Sequence, residues 1–249
     1  MQSSKTEVLD HGFVRLVDRT GAPGLRVVDA ARCSYGSDSD DLGERDRKLV
    51  KFLLGNGHTS PFRHATFVFH VKAPLFVFRQ WWKYQVGSSW CEYETAEGTA
   101  VGSVVCSDIR TSTDSGSSWN ELSGRYKEME AEFYVPEEAR MNTGKQEANA
   151  EAPHHVTELV REEMRVIHRK SVAAYERMLR AGVAKEIARL CLPSTIYSEA
   201  YWTVSLQAVL HFLEQRLAPE AQFEIRQFAG AILDLIRPSL EEMGIEFEG

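Results

Sequence analysis

The residues best suited to chemistry in this chain are arginines set among apolar or small polar neighbours. In "WNELSGRY", Glu121, Ser123 and Arg125 fall at alternate positions, so an extended segment points all three the same way. "KEIARLCLP" places Arg189 in an apolar run, and "HFLEQR" ends an apolar stretch on Arg216. A guanidinium among apolar side chains costs free energy unless it meets an anion. Each of the three therefore needs either a protein carboxylate or an anionic ligand, and spacing by itself favours the carboxylate. If the partner is a ligand, the planar donor fork of arginine suits a phosphate.

Other candidates are weaker. "GNGHTSPFRH" puts His58, Thr59 and Ser60 in a turn, where backbone N–H groups and hydroxyls either cradle a phosphate or satisfy one another. The pairs His64/His70 and His154/His155 lack a third ligand at helical spacing, so no metal site is expected. Cys33, Cys91, Cys106 and Cys191 lie far apart without a CxxC and read as reduced thiols. Trp81 and Trp82 either stack on a flat ligand or belong to the core. The chain has no Walker loop, dinucleotide fingerprint or nucleophile elbow.

The elements that must position these residues read as α+β. "EVLDHGFVRLVDRTG" predicts a short strand followed by a Gly21–Gly24 turn, and "SDSDDLGERDRKLVKFLLGNG" a helix with acidic caps closing on Gly55 and Gly57. "RHATFVFHVKAP" alternates as a strand, with Pro74 opening a helix through "LFVFRQWWKYQV". A long amphipathic helix is predicted from Thr157 to Gly182, then a short one in "AKEIARLCLP" stopped by Pro193. "YWTVS" reads as a strand, "LQAVLHFLEQR" as a helix capped by Ser205, and Pro219 as the start of a last helix. Residues 87–118 are rich in Ser, Thr, Gly and acidic residues and read as a long loop or flap, with "VGSVV" as a short strand.

With 249 residues, 43% hydrophobic and 26% charged, the composition is that of a globular protein. A net charge of −7 argues against a general nucleic-acid partner, which needs a clustered basic surface. The opening "MQSSKTEVLD" has neither the basic end nor the apolar run of a signal peptide, and no stretch approaches the roughly 20 apolar residues of a membrane helix. No membrane partner and a cytoplasmic location are expected.

Taken in order, "DHGFVRLVD", "ERDRKLVKFLLGNGHTSPFRHATFVFHVKAPLFVFRQWW", "NELSGRY", "EFYVP", "AKEIARLCLP", "YWTVS" and "AQFEIRQFA" resemble the flavin-dependent thymidylate synthase family over nearly the whole chain. The resemblance implies one domain, residues 1–249, with a central, mostly antiparallel sheet and flanking helices, assembled as a homotetramer. It implies that a pyrimidine nucleotide is held by Gln80, Lys83, Glu121, Leu122, Ser123, Gly124, Arg125, Arg189 and Arg216. Arg216 is then the catalytic residue, stabilising negative charge on the pyrimidine as N3 loses its proton. FAD is placed by His58, Ser60, Lys83, Tyr84, Gln85, Glu121, Ser205, Gln207 and His211. Methylene-tetrahydrofolate is the implied carbon donor, and NADPH or another reductant recharges the flavin.

The chain also departs from the family. The Arg-His-Arg triplet of typical members reads Lys83-Tyr84-Gln85, and Ser205, Gln207 and His211 stand where Asn, Arg and Asn are usual. An insertion at about 89–118 separates the triplet position from "NELSGRY", and GSSW occurs at both its edges, at 87–90 and 116–119, as a local duplication leaves behind. Either copy can pack in the family's position. Arg110 in the insertion is a candidate for the lost cation, or an ordinary exposed loop residue. These departures suggest a specialised member that converts UMP and/or dUMP to the 5-methyl nucleotide, as in nucleoside-antibiotic synthesis. The alternative is a degenerate homologue that binds nucleotide or flavin as a regulatory subunit.

Overall fold

The computed structural model describes residues 4–33, 36, 40–84, 91–95, 98–102, 119–142 and 150–247, with 91–95 and 98–102 described by their backbone. Gln85, Arg110, the first GSSW copy and most of the insertion lie outside the described residues.

The chain opens as a hairpin of β1 (Lys5–Val8) and β2 (Gly12–Arg19), not as one strand. Leu9 makes the reversal at a φ of 59°, a left-handed conformation that few non-glycine residues adopt. Gly12 follows because a Cβ there would stand 2.7 Å from the Val8 carbonyl and 2.8 Å from that of Lys72. Next comes α1 (Pro23–Arg32), where the Gly21–Gly24 turn was expected to run on. Pro23 sits in its first turn, where the missing N–H has no cost. In α2 (Glu44–Gly55), the Asp46 carboxylate accepts the Gly43 N–H and an ion pair from Arg32.

β3 (Thr66–Pro74) runs straight into α3 (Leu75–Trp81), and a short pair, β4 (Cys91–Thr95) and β5 (Gly98–Gly102), follows. Then come β6 (Trp119–Glu121), the two-residue β7 (Arg140–Met141) and β8 (Ala150–Glu151), and α4 (His154–Arg180). The order closes with α5 (Lys185–Ala188), β9 (Tyr197–Ser205), α6 (Leu206–Arg216) and α7 (Phe223–Glu242). The last helix starts at Phe223, beyond Pro219, which stays in the preceding turn. Among the described residues no helix is long and apolar enough to cross a membrane.

The main sheet has the order β1-β2-β3-β9-β6, antiparallel at every pairing. Its period-2 pattern buries Val14, Phe67, Phe69, Val71, Ala200, Trp202 and Val204 on one face. α3, α6 and α7 cover that face with Trp81, Phe212, Phe228 and Ile232, all fully buried. The rings interlock: Trp81 stacks on Phe212 with centroids 5.0 Å apart and meets Trp202 edge-on at 5.4 Å. Trp119, from the second GSSW copy, stacks on Trp202 at 5.2 Å. The expected α+β architecture with a mostly antiparallel sheet is present.

α4 is held differently. Its buried residues are Thr157, His168, Ser171 and Tyr175, whereas Leu159 and Ile167 are more than half exposed. His168 lies flat on Phe133 with centroids 4.4 Å apart, and its Nε2 is 2.9 Å from the Thr195 hydroxyl. Burial pushes the imidazole below its ordinary value of 6.5. A folded state that disfavours the proton is stable above the unfolded value and weakens as pH falls from about 6.5 through the lower folded value. His168→Gln keeps a donor for Thr195 and removes the titration. Melting temperatures between pH 7.5 and 5 are expected to fall more steeply for the parent than for His168→Gln, and parallel curves would count against this coupling.

Candidate functional site

Two clefts are lined in part by candidate residues, Glu121, Leu122 and Arg189 in one and Gln207 and His211 in the other. The first has a volume of about 360 Å³ and is lined by Leu75, Arg79 and Trp82 of α3, by Glu121 and Leu122 at the end of β6, and by Met129, Arg189, Leu190, Leu192 and Ile196. Three-residue β6 reaches this wall because it pairs with β9 in the register Trp119↔Trp202, Asn120↔Tyr201 and Glu121↔Ala200. The Leu122 N–H then donates to the Glu199 carbonyl at 2.8 Å, and the Ser198 hydroxyl donates to Glu121 Oε1 at 2.8 Å.

Beyond Leu122 the chain is not extended. Ser123 O accepts the N–H groups of Tyr126 and Lys127, which closes a turn, so the alternation expected for Glu121, Ser123 and Arg125 stops at Leu122. The turn aims Arg125 outward, its guanidinium carbon 5.3 Å from the centre of the Tyr126 ring, and the Ser123 hydroxyl accepts the Arg125 N–H at 3.3 Å. Gly124 sits directly against Arg189: a Cβ there would be 3.2 Å from Arg189 Nη1 and Cδ and 2.8 Å from Met129 Sδ. An alanine here would require the Arg189 and Met129 side chains to shift from the backbone they lie along.

The Arg189 side chain has no hydrogen bond or ion pair with any described residue, and the same is true of the Arg79 side chain. The structural carboxylate that spacing favoured for Arg189 is therefore not there among the described residues. Arg216 also lacks a carboxylate among them. Its guanidinium carbon stands 5.2 Å over the Tyr84 ring, and its Nε is buried without a partner. Tyr84 is itself buried, packed edge-on against Phe212 at 5.1 Å and beside His211 at 5.6 Å. Burial raises the Tyr84 phenol above its ordinary value, and the charge and hydrogen bond of Arg216 oppose that rise. The phenol is thus a neutral donor or acceptor beside a permanent cation.

The second cleft, about 540 Å³, is lined by Leu54, Thr59, Phe62, Gln207, Leu210, His211, Glu214, Ile245, Glu246 and Phe247. Gln207 is fixed between two partners, its Nε2 donating to Thr59 Oγ1 at 2.9 Å and its Oε1 accepting from Arg63 Nε at 2.8 Å. Its apolar wall is edged by the Gln207 amide, the His211 imidazole, the Thr59 hydroxyl and the carboxylates of Glu214 and Glu246. His58 and Ser60 flank Thr59 on an exposed turn that Gly57 enters at a φ of 69°. Lys83 is exposed just beyond α3, outside the residues that line either cleft. Ser205 does not join them: it is buried, and its hydroxyl accepts the Ala208 N–H as the cap of α6.

Gln80 donates to Gln222 Oε1 at the start of α7 and lines neither cleft. The largest cavity, about 640 Å³, holds none of the candidates. Three of its polar groups are engaged within the fold: Tyr134 and Arg140 both donate to buried Glu224, and Asp10 accepts from the Tyr197 hydroxyl. Arg79 was not singled out from the sequence, and Trp82 was left between ligand stacking and core, although Leu75, Arg79 and Trp82 share one helix face at spacings of four and three.

Comparison with known proteins identifies the family and the fold. The model of the family described as Thy1, thymidylate synthase complementing protein, matches residues 15–240. A flavin-dependent thymidylate synthase of Thermus thermophilus is 38% identical over 245 residues, covering 97% of this chain and 77% of its own. That of Thermotoga neapolitana is 37% identical over 233 residues, covering 94% and 89%. Among solved structures, the UMP/dUMP methylase PolB from Streptomyces cacaoi bound with 5-Br dUMP superposes with a TM-score of 0.72 at 27% identity, covering 96% of each chain.

The close packing at Gly124 yields a test. Gly124→Ala is expected to displace Arg189 and to weaken UMP binding roughly tenfold, while the melting temperature moves by less than about 4 °C because the Arg189 side chain that must give way is exposed. Unchanged affinity measured by calorimetry would separate Arg189 from the nucleotide.

Proposed function

The chain belongs to the Thy1 family of thymidylate synthase complementing proteins, and on that premise we propose that it is a flavin-dependent C5-methyltransferase acting on UMP and/or dUMP. The observation that carries the reading is the state of its arginines. Arg189 and Arg216 are each placed by close packing, against Gly124 and Tyr84, and neither meets a carboxylate among the described residues. Groups held this way are prepared for an anion brought by a ligand.

In this reading Arg189, Arg125 and the Ser123 hydroxyl take the 5′-phosphate, while Glu121 and Gln80 orient the nucleotide. Arg216 faces the pyrimidine and stabilises the negative charge that makes C5 nucleophilic toward the methylene carbon of methylene-tetrahydrofolate. Tyr84 holds the Arg216 guanidinium by its ring face and hydroxyl, which limits reorganisation when that charge forms. His58, Ser60, Gln207, His211 and Lys83 would hold FAD against the apolar wall of the second cleft. Bound reduced flavin supplies the hydride that completes the methyl group, with NADPH or another reductant restoring it. No cysteine nucleophile is needed.

A homotetramer of one-domain chains fits the same reading. On α4 polar residues are buried while Leu159 and Ile167 face outward, as expected of a helix that a second copy covers. The likeness to a UMP/dUMP methylase supports acceptance of the ribonucleotide, and the departures at Lys83, Tyr84 and Gln85 are what point to a specialised role in nucleoside-antibiotic synthesis.

The test is a product assay with UMP and dUMP side by side, with methylene-tetrahydrofolate, FAD and a reductant. C5-methylated nucleotide is expected from at least one, with UMP accepted. In the same assay Arg216→Ala is expected to lose roughly 10²- to 10³-fold in turnover with the fold intact, the effect of removing one donor aimed at a developing anion. Absence of methylated product from a protein that retains FAD and binds UMP would overturn the assignment, and unchanged turnover would remove Arg216 from the site.

A further inference from the structure

Arg79 is not among the residues that the sequence singles out for ligand binding, although Gln80 beside it is, and it lines the first cleft together with Arg189. It sits in the last turn of α3 and is exposed to solvent, and no described residue pairs with it. The only acidic residue lining the cleft is Glu121, whose Oε1 already accepts the Ser198 hydroxyl. Two guanidinium groups that face one cavity of about 360 Å³ repel each other and raise its positive potential. The remaining walls, Leu75, Trp82, Leu192 and Ile196, are apolar and exclude water from one side, which strengthens any charge interaction made there.

From this juxtaposition we infer that Arg79 and Arg189 form a two-guanidinium clamp for the dianionic phosphate monoester of the nucleotide. The inference rests on the proposed function for the identity of the nucleotide, but not for the anion. α3 supplies one arm through its exposed face. The segment after α5 supplies the other, held along the Gly124 backbone. Two forks set on separate rigid elements take different oxygens of a tetrahedral group, which a single arginine cannot do. Because the second ionisation of a phosphate monoester falls near pH 6, binding that uses both arms strengthens as pH rises through that value.

The experiment is calorimetry of the parent, Arg79→Gln and Arg79→Lys with UMP, uridine and inorganic phosphate at pH 5.2 and 7.5, with folding checked by melting temperature. Arg79→Gln is expected to weaken UMP binding roughly tenfold to a hundredfold at pH 7.5 while leaving uridine binding unchanged. The gain in UMP affinity between the two pH values shrinks with it, and Arg79→Lys recovers only part of the loss because a single ammonium lacks the fork. Equal UMP affinity for parent and Arg79→Gln, or an equal loss for UMP and uridine, would overturn the clamp. If the parent binds neither UMP nor uridine, the nucleotide reading fails by itself, and inorganic phosphate decides the clamp: protection of the parent against melting that Arg79→Gln abolishes supports it, and protection equal in both, or absent, overturns it.

Discussion

The aromatic cluster of Trp81, Trp119, Trp202 and Phe212 is the constraint from which the candidate site follows. Each ring comes from a different element, α3, β6, β9 and α6, and centroid separations of 5.0 to 5.8 Å leave little freedom among them. Arg79, Gln80 and Tyr84 follow from the placement of α3, Glu121 and Leu122 from β6, and His211 and Arg216 from α6. Removal of one such ring typically costs about 3 to 5 kcal/mol, a large part of the stability of most domains. It would also release the elements that carry the site. Stability and positioning here have the same physical source.

The charged side chains of this scaffold fall into two sets, those paired within the chain and those that meet no carboxylate among the described residues. Ion pairs that hold the fold, such as Arg32 with Asp46 and Arg140 with buried Glu224, are satisfied within the chain. Among the described residues no carboxylate does the same for Arg79, Arg189 or Arg216, and the first two line one cleft. The departures from the family pattern follow the same division. Tyr84 stands where a histidine is usual and gives Arg216 a ring face in place of a second charge. Gln207 stands where an arginine is usual and is bound to Thr59 and Arg63, so the cation nearest that position is now Arg63. Ser205 caps a helix and contributes no free amide.

Much of the architecture was legible because it is local. The period-2 run from Thr66, the long α4 and the Ser205 cap of α6 appear where the residue pattern puts them. α1 was missed because two glycines and the adjacent β-branched pair Val27–Val28 lower local helix preference. Packing decides there, with both valines fully buried. The "NELSGRY" segment was read as extended because alternation is a strand signal, but one carbonyl, Ser123 O, collects two N–H groups and turns it. In the site, residue types were legible and their partners were not. That Arg216 meets Tyr84 and that Arg189 shares a cleft with Arg79 depends on bringing α3 beside β9 and α6, which no local period encodes.

The central claim is that reduced flavin on this protein is consumed in making a methyl group on a pyrimidine nucleotide. The most direct measurement is an anaerobic absorbance spectrum of the chemically reduced, FAD-loaded protein after mixing with methylene-tetrahydrofolate and UMP or dUMP, with the nucleotide product quantified in the same sample. The account predicts that the oxidised flavin band returns in step with 5-methyl nucleotide and stays absent when either substrate is omitted. Methylated product with the flavin still reduced, or a flavin that stays reduced with both substrates present, would contradict it.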